Sequence, residues 1–240
     1  MSKVAEHINQ RIQGLSPVEA LAEMAALFPG EVIFSTSFGW EDQVITHMIF
    51  KNNLPIKVFT LETGRLFPET YYVWNRTLEM YGKPIHAYYP QHEALQAMVN
   101  AKGPNSFYES VENRKECCQI RKIEPLKRAL QGNQLWITGI RAEQSLNRQF
   151  MDSVEWDEGN QIVKFHPIYN WTLDEVKQYI ADNNIPYNIL HDRGFPSIGC
   201  APCTRAIQPG EDFRAGRWWW EDQSKKECGL HVGHDNLIKE

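Results

Sequence analysis

Apolar residues recur along the first two thirds of the chain in short continuous runs bounded by glycine, proline or polar turns. Between these runs lie longer stretches with helical spacing. Val32-Ile33-Phe34-Ser35 and Lys57-Val58-Phe59-Thr60-Leu61 read as buried strands, with a helix from about Asp42 to Phe50 between them. The alternation continues with a helix after Pro68, a strand near Ile85 to Tyr89, a helix from about His92 toward Asn100, and a strand over Gln134-Leu135-Trp136-Ile137-Thr138-Gly139. Ahead of the first strand, Ser16-Pro17-Val18-Glu19 joins an N-cap serine, a proline at the first helical position and a glutamate placed to close a capping box. Pro29-Gly30 ends that helix, and Thr172 with Glu175 repeats the capping device before a late one. Strands separated by helices predict an α/β fold, a mostly parallel sheet covered by helices on both faces. Past Asn183 the pattern gives way to segments rich in Pro, Gly and Cys. The expectation is a single domain over 1–240, with a core over about 16–185 and an irregular cap and tail over about 186–240.

Composition narrows the class without naming a chemistry. The chain of 240 residues is 42% hydrophobic and 23% charged, as ordinary globular domains are, and carries no internal repeat. No apolar run approaches the ~20 residues needed to span a bilayer. Met1-Ser2-Lys3-Val4-Ala5-Glu6-His7 lacks the apolar stretch of a secretory signal, so a cytoplasmic location is expected and no membrane partner. Thiols stay reduced there, which makes a disulfide framework the weakest reading of the cysteines. A net charge of −5 argues against broad nucleic-acid binding and leaves room for a local anion pocket.

The five cysteines change the picture. They fall into Cys117-Cys118, Cys200-Ala-Pro-Cys203 and Cys228 alone near the end. Two close pairs of soft ligands are enough to enclose one metal centre. Structural zinc sites usually space their ligands by two to four residues, so that a backbone turn can aim both sulfurs inward. Adjacent cysteines suit an iron–sulfur cluster better, because its irons are spread over a cube; single zinc remains the alternative. Cys228 is left over as a thiol with Lys225, Lys226 and His231 near it in sequence. Cationic neighbours favour the attacking thiolate, while Glu227 opposes it.

Three polar, glycine-bearing turns follow three of the strands: Thr36-Ser37-Phe38-Gly39-Trp40-Glu41-Asp42, then Glu62-Thr63-Gly64-Arg65, then Thr138-Gly139-Ile140-Arg141. Ligands in open parallel sheets bind beyond the carboxyl ends of the strands, where backbone N–H groups and a helix dipole can hold an anion. The three turns are expected to line one crevice. Basic residues cluster near the same segments: Arg121 and Lys122 after the cysteine pair, Arg141 and Arg148 after a strand, and Arg214 and Arg217 beside Trp218-Trp219-Trp220. Arginine forks bind phosphate or sulfate oxygens in pairs, and lysine acts as a compact charge. The tryptophan triplet reads as packing for the cap.

Together, Lys115-Glu116-Cys117-Cys118-Gln119-Ile120-Arg121-Lys122, Gly199-Cys200-Ala201-Pro202-Cys203-Thr204-Arg205 and Glu227-Cys228-Gly229-Leu230-His231 closely resemble the assimilatory adenylyl-sulfate (APS) reductases. The likeness runs from the Ser37-Phe38-Gly39 turn to His231. It implies a Rossmann-like adenine-nucleotide α-hydrolase (PP-loop) fold and a [4Fe–4S] cluster on Cys117, Cys118, Cys200 and Cys203. It also implies a two-step reaction. The Cys228 thiolate attacks the sulfur of APS, expelling AMP and leaving S-sulfocysteine; reduced thioredoxin, or a glutaredoxin, then releases sulfite. By the same resemblance Lys122, Arg148, Arg214 and Arg217 match the substrate-contacting cations, with His231 in a closing tail; Ser37, Thr63, Gly64 and Gly139, from the three turns, complete the expected substrate-binding set. Homo-oligomerisation is compatible with the family.

Two departures stand out. A pyrophosphate-binding PP-loop would be glycine-rich where Phe38 stands, which argues against ATP hydrolysis. Glu62 takes a place where relatives more often carry Asp. The chain also ends soon after Cys228, so the reductant is expected from a separate protein. Rival readings are a PAPS reductase or dual APS/PAPS use, a PP-loop ligase with a zinc staple, and a non-enzymatic iron–sulfur redox sensor. The four paired cysteines point away from a PAPS-specific enzyme while dual use stays open, since no charge pattern excludes a 3'-phosphate, and Phe38 with Cys228 points away from the ligase. The third leaves the crevice and Cys228 without a task.

Overall fold

The computed structural model describes residues 3–144, 148 and 150–221. Six strands form one sheet in the order β3-β2-β1-β4-β6-β5. They are β1 (Val32–Ser35), β2 (Lys57–Leu61), β3 (His86–Tyr88), β4 (Leu135–Ile137), β5 (Val154–Asp157) and β6 (Ile162–Phe165). All neighbouring pairs run parallel except β5 and β6, which form an antiparallel hairpin at one edge. Side chains alternate across the sheet as the pleat demands. Val32, Phe34, Val58, Leu135, Ile137, Val163 and Phe165 face the larger core, built with α2 (Pro17–Leu27), α3 (Trp40–Lys51) and α8 (Leu173–Asp182). Ile33, Phe59, Trp136 and Ile162 face the other side, where Leu126, Ala129 and Leu130 of α7 (Glu124–Leu130) cover them.

The expected capping boxes at Ser16/Glu19 and Thr172/Glu175 both form. Three elements go beyond the sequence expectation. Helix α1 (Lys3–Ile12) buries only Ala5 and Ile8 in the larger core, too thin a stripe to stand out in the sequence. The β5–β6 hairpin hides its alternation because its inward face carries charge: buried Lys164 pairs with Asp157 at 2.6 Å and lies 5.1 Å from the Trp136 ring centroid. Lastly, α6 (Val111–Cys118) runs through a π turn (Gln119–Ile123) directly into α7. Pro125 explains that turn. It cannot donate to the Arg121 carbonyl and its ring crowds that carbonyl, so the helix widens just before it and the Glu124 N–H reaches Gln119 O instead. The remaining helices are α4 (Pro68–Tyr81) and α5 (His92–Lys102). Beyond α8 the described chain holds only short 3-10 turns and one isolated bridge, Thr204 to Arg217, as the Pro/Gly/Cys composition predicted. Among the described residues no helix is long and apolar enough to cross a membrane.

Candidate active site

The strand order reverses between β1 and β4, and there the parallel sheet opens a crevice beyond its carboxyl ends. The cavity measures about 250 Å³. Its walls are the turns after β1, β2 and β4, with Lys122 from the π turn, Arg148, and the cap residues Pro196 to Cys200 and Phe213, Arg214 and Arg217. Of the sequence-derived candidates, Ser37, Thr63, Lys122, Gly139, Arg148, Arg214 and Arg217 all line it. Gly64 faces Arg121 instead: it adopts φ +69°, donates its N–H to Glu62 Oε1 at 2.7 Å, and a Cβ there would stand 3.3 Å from the Arg121 guanidinium. Cys228 and His231 lie outside the described residues.

The turn after β1 differs from an open anion cradle. Ser37 N–H and Oγ both donate to Asp42 Oδ2, at 2.6 and 2.7 Å, and Phe38 N–H donates to Thr36 Oγ1 at 3.1 Å. The backbone and hydroxyl donors of Ser37 are thus taken by the chain's own carboxylate. Burial pushes the Asp42 carboxyl up to about 6, against the two Ser37 hydrogen bonds that pull it down. Phe38 itself takes φ +62°, a costly choice for a bulky residue, and is held by complete burial and a stack on Trp74 at 5.4 Å. Gly139 is required by the close approach of this turn to β4, since a Cβ would fall 2.3 Å from Asp42 Oδ1. Arg141 is not a crevice residue. It is buried, bonded to Glu41 at 2.8 Å and Glu143 at 2.9 Å, and pins the third turn to the first.

Asp42 and His191 are crevice residues to which the sequence assigned no role. The signal for Asp42 was its place in the first turn of a helix, five residues after a serine that could be capped. His191 stacks on Trp40 at 3.8 Å and shares a 2.8 Å hydrogen bond between Nδ1 and the Phe195 carbonyl. A carbonyl only accepts, so Nδ1 carries the proton. Burial lowers His191 to about 4, leaving a neutral ring at physiological pH. Nothing in its local sequence announced this.

The four expected cysteines line a second cavity directly behind the first. Cys117 and Cys118 come from the end of α6, and Cys200 and Cys203 from the cap. Lys122, Cys200 and Arg217 line both cavities. Thr63 Oγ1 lies 3.3 Å from Cys200 Sγ, tying the β2 turn to the same wall. Arg217 passes so close beneath Gly199 that a Cβ would lie 2.3 Å from its guanidinium, and it donates to Ser197 Oγ at 3.2 Å. The four thiols are free cysteines, and among the described residues no three His, Cys, Asp or Glu side chains are arranged to hold a single metal ion. Burial pushes Cys203 up to about 12 and Cys117 upward, so these thiols are neutral unless a positive centre joins them. Arg121 Nε and Arg217 Nε, on side chains that line this cavity, are buried without an acceptor. Thiol ligands, surrounding cations and two unmet N–H donors suit an anionic metal–sulfur group.

The sheet and its crevice define an α/β protein of the adenine-nucleotide α-hydrolase fold. Solved neighbours bear this out. The FMN adenylyltransferase of Candida glabrata, in complex with FAD and pyrophosphate, superposes with a TM-score of 0.54 over 99% of this chain and 83% of its own, at 14% identity. That likeness shows the fold alone. The phosphoadenylyl-sulfate (PAPS) reductase of Candida auris, solved as a phosphate complex, superposes with a TM-score of 0.72 at 30% identity, over 86% of this chain and 98% of its own. Residues 31–206 match the phosphoadenosine phosphosulfate reductase domain, and the chain belongs to that family. The adenosine 5'-phosphosulfate reductase of Sinorhizobium fredii is 49% identical over 228 residues, 95% of this chain and 90% of the relative. The enzyme of that name from Allochromatium vinosum is 50% identical over 200 residues, 83% and 78% respectively.

Proposed function

We propose that this chain, as a single reductase domain in the cytoplasm, reduces adenosine 5'-phosphosulfate to sulfite and AMP in sulfate assimilation, with Cys228 as nucleophile and reduced thioredoxin as electron donor. The observation that carries the reading is the crevice at the sheet's switch point, where Lys122, Arg148, Arg214 and Arg217 meet and which shares Lys122, Cys200 and Arg217 with the four-cysteine cavity. Four cations suit a phosphosulfate anhydride, and near-50% identity to enzymes named for that substrate supports it.

The Cys228 thiolate attacks the substrate sulfur, the S–O bond to phosphate breaks, and its electron pair leaves with AMP. The cations of the crevice hold the charge that develops on the leaving phosphate. Cys228 is then an S-sulfocysteine. A thioredoxin thiolate attacks its Sγ, sulfite departs with the S–S electron pair, and the partner's second thiol resolves the mixed disulfide. Two thiol electrons thus take the sulfur from sulfate to sulfite level.

Cys117, Cys118, Cys200 and Cys203 would hold a [4Fe–4S] cluster. Bound there, it supplies a delocalised electrostatic centre beside Lys122 and Arg217. Use of APS rather than its 3'-phosphorylated form is supported by Asp42: a phosphate brought to the β1 turn would meet a buried carboxylate in place of free N–H donors.

With APS present and thiol withheld, mass spectrometry should find one SO3 adduct, on the peptide bearing Cys228. Protein purified without oxygen should carry iron and acid-labile sulfide at about four each per chain. Cys228→Ser should keep both, bind AMP normally and release no sulfite. An adduct on another residue, or stoichiometric zinc without sulfide, contradicts the reading.

A further inference from the structure

His191 lines the crevice, and the reaction proposed above gives it no part. It belongs to the short turn Ile189–Arg193, which the fold fixes from several sides. Asn188 caps the turn, accepting from the Leu190 N–H at 3.1 Å and donating to Thr70 Oγ1 of α4 at 3.2 Å. The Phe195 N–H closes back onto Leu190 O at 3.1 Å, and the Phe195 carbonyl holds the Nδ1 proton of His191 at 2.8 Å. The imidazole lies on Trp40, the first residue of α3, with the ring planes 15° apart. Position, ring plane and tautomer are thus all set by the protein itself. That tautomer leaves Nε2 as a bare acceptor, since Nδ1 carries the one N–H of the neutral ring. Burial keeps the ring neutral, its pKa lowered to about 4. His191 is 8% exposed, and Nε2 is buried with no donor in reach among the described residues. An acceptor left unpaired in this way costs free energy that a bound donor would recover.

We propose that His191 is a specificity-determining residue: its Nε2 accepts a hydrogen bond from an O–H or N–H of the substrate's nucleoside, and so reads the adenosine part rather than the phosphosulfate. The assignment rests on the reading of the crevice as the APS site. Phosphate and sulfate cannot be the partner, because they present acceptor oxygens. The nucleoside can be, through its ribose hydroxyls or its adenine amino group. The place of the ring in the crevice agrees. Lys122 and Arg217 also line the cysteine cavity, whereas His191 stands on a part of the crevice which that cavity does not share. A site built around a buried acceptor rejects analogues that lack the matching donor, since binding them leaves the acceptor unpaired.

The test is equilibrium binding of four nucleotides to the full-length protein: AMP, its 2'-deoxy and 3'-deoxy forms, and purine riboside 5'-monophosphate, which lacks the amino group. The parent should bind one of the three analogues about tenfold or more weakly than AMP, and which one it is identifies the donor. Two variants then assign that loss to Nε2. His191→Asn keeps an N–H near the Nδ1 position for the Phe195 carbonyl, and His191→Phe keeps a flat ring for Trp40. Neither has the acceptor, so each should bind AMP about tenfold more weakly than the parent. Each should also cease to separate AMP from that analogue, the two agreeing within about twofold. Parental discrimination retained in either folded variant overturns the proposal, for another group then reads the donor. Equal affinity of the parent for all four nucleotides overturns it too. So does an equal fall for every nucleotide in both variants, which marks His191 as a support of the crevice wall only. These three results leave the APS reading standing; a parent that binds no AMP removes that reading, and the role of His191 with it.

Discussion

Asp42 carries the sharpest consequence of a single side chain. Its buried carboxyl titrates near 6, chiefly through desolvation, against an ordinary value of 3.8. A raised carboxyl pKa means that the folded protein holds the proton more tightly than the unfolded chain. The stability linked to it is full below about pH 4 and is lost as pH rises through about 6. Asp42→Asn cannot ionise and should escape that loss. Urea unfolding should show the parent losing about 1–2 kcal/mol between pH 5 and pH 8 relative to the variant. Equal pH dependence would mean that Asp42 is solvated like a surface carboxylate. If a 3'-phosphate comes to this turn, as proposed above, the same substitution removes the charge opposing it and should raise kcat/KM for PAPS by about tenfold or more. Arg214 and Arg217 support a second prediction at this scale. Loss of one charge-assisted contact to the phosphosulfate should cost roughly 1.5–3 kcal/mol, and turnover in each alanine variant should fall about ten- to a hundredfold. Normal kinetics in both would remove them from the site. These cations were legible because they cluster beside cysteines and tryptophans. That Arg141 differs from them was not, because its partners, Glu41 and Glu143, reach it only through the fold.

Among the elements, the helix carrying Cys117 and Cys118 shows how a local irregularity aims chemistry. Adjacent cysteines on a regular helix diverge by about 100°, the angle that 3.6 residues per turn imposes. The π turn that follows them re-phases the chain, so that Arg121 lines the cysteine cavity while Lys122 reaches both cavities. Pro125 enforces that turn. Pro125→Ala should let the segment relax toward a regular helix, with no loss of helix signal by circular dichroism. Iron bound per chain should fall by about half or more as Arg121 and Lys122 shift register. Full iron loading with unchanged Lys122 chemistry would mean the π turn is held by packing alone. The sequence placed the basic pair within a turn of the cysteines but not the widening, since a proline near a helix start ordinarily reads as a first-turn residue. The β5–β6 hairpin escaped for another reason. Its inward positions, Glu155, Asp157 and Lys164, are charged and set beside one another, with Lys164 bonded to Asp157, and a polar residue signals an outward face to any reading of periodicity.

At the scale of the whole molecule, the parallel core and its crevice were legible because three strands ended in polar, glycine-bearing turns, and topology brings all three to one opening. The strand order itself was not, since β4 reaches β1 across some hundred residues of chain and no local pattern records that pairing. Convergence of both cysteine pairs behind that opening follows from the same topology: α6 and α7 lead back into β4, and the cap folds over their other end. The molecule thus sets a cationic crevice against a thiol-lined cavity, with Lys122, Cys200 and Arg217 as the shared wall. The most direct test of the account is sulfite release by the purified protein with reduced thioredoxin, from APS and from PAPS side by side. The account predicts thioredoxin-dependent sulfite from APS, with kcat/KM for PAPS lower by about a hundredfold, the scale expected when like charges are forced together. Equal use of PAPS would contradict the role given to Asp42, and absence of sulfite from either would contradict the account as a whole.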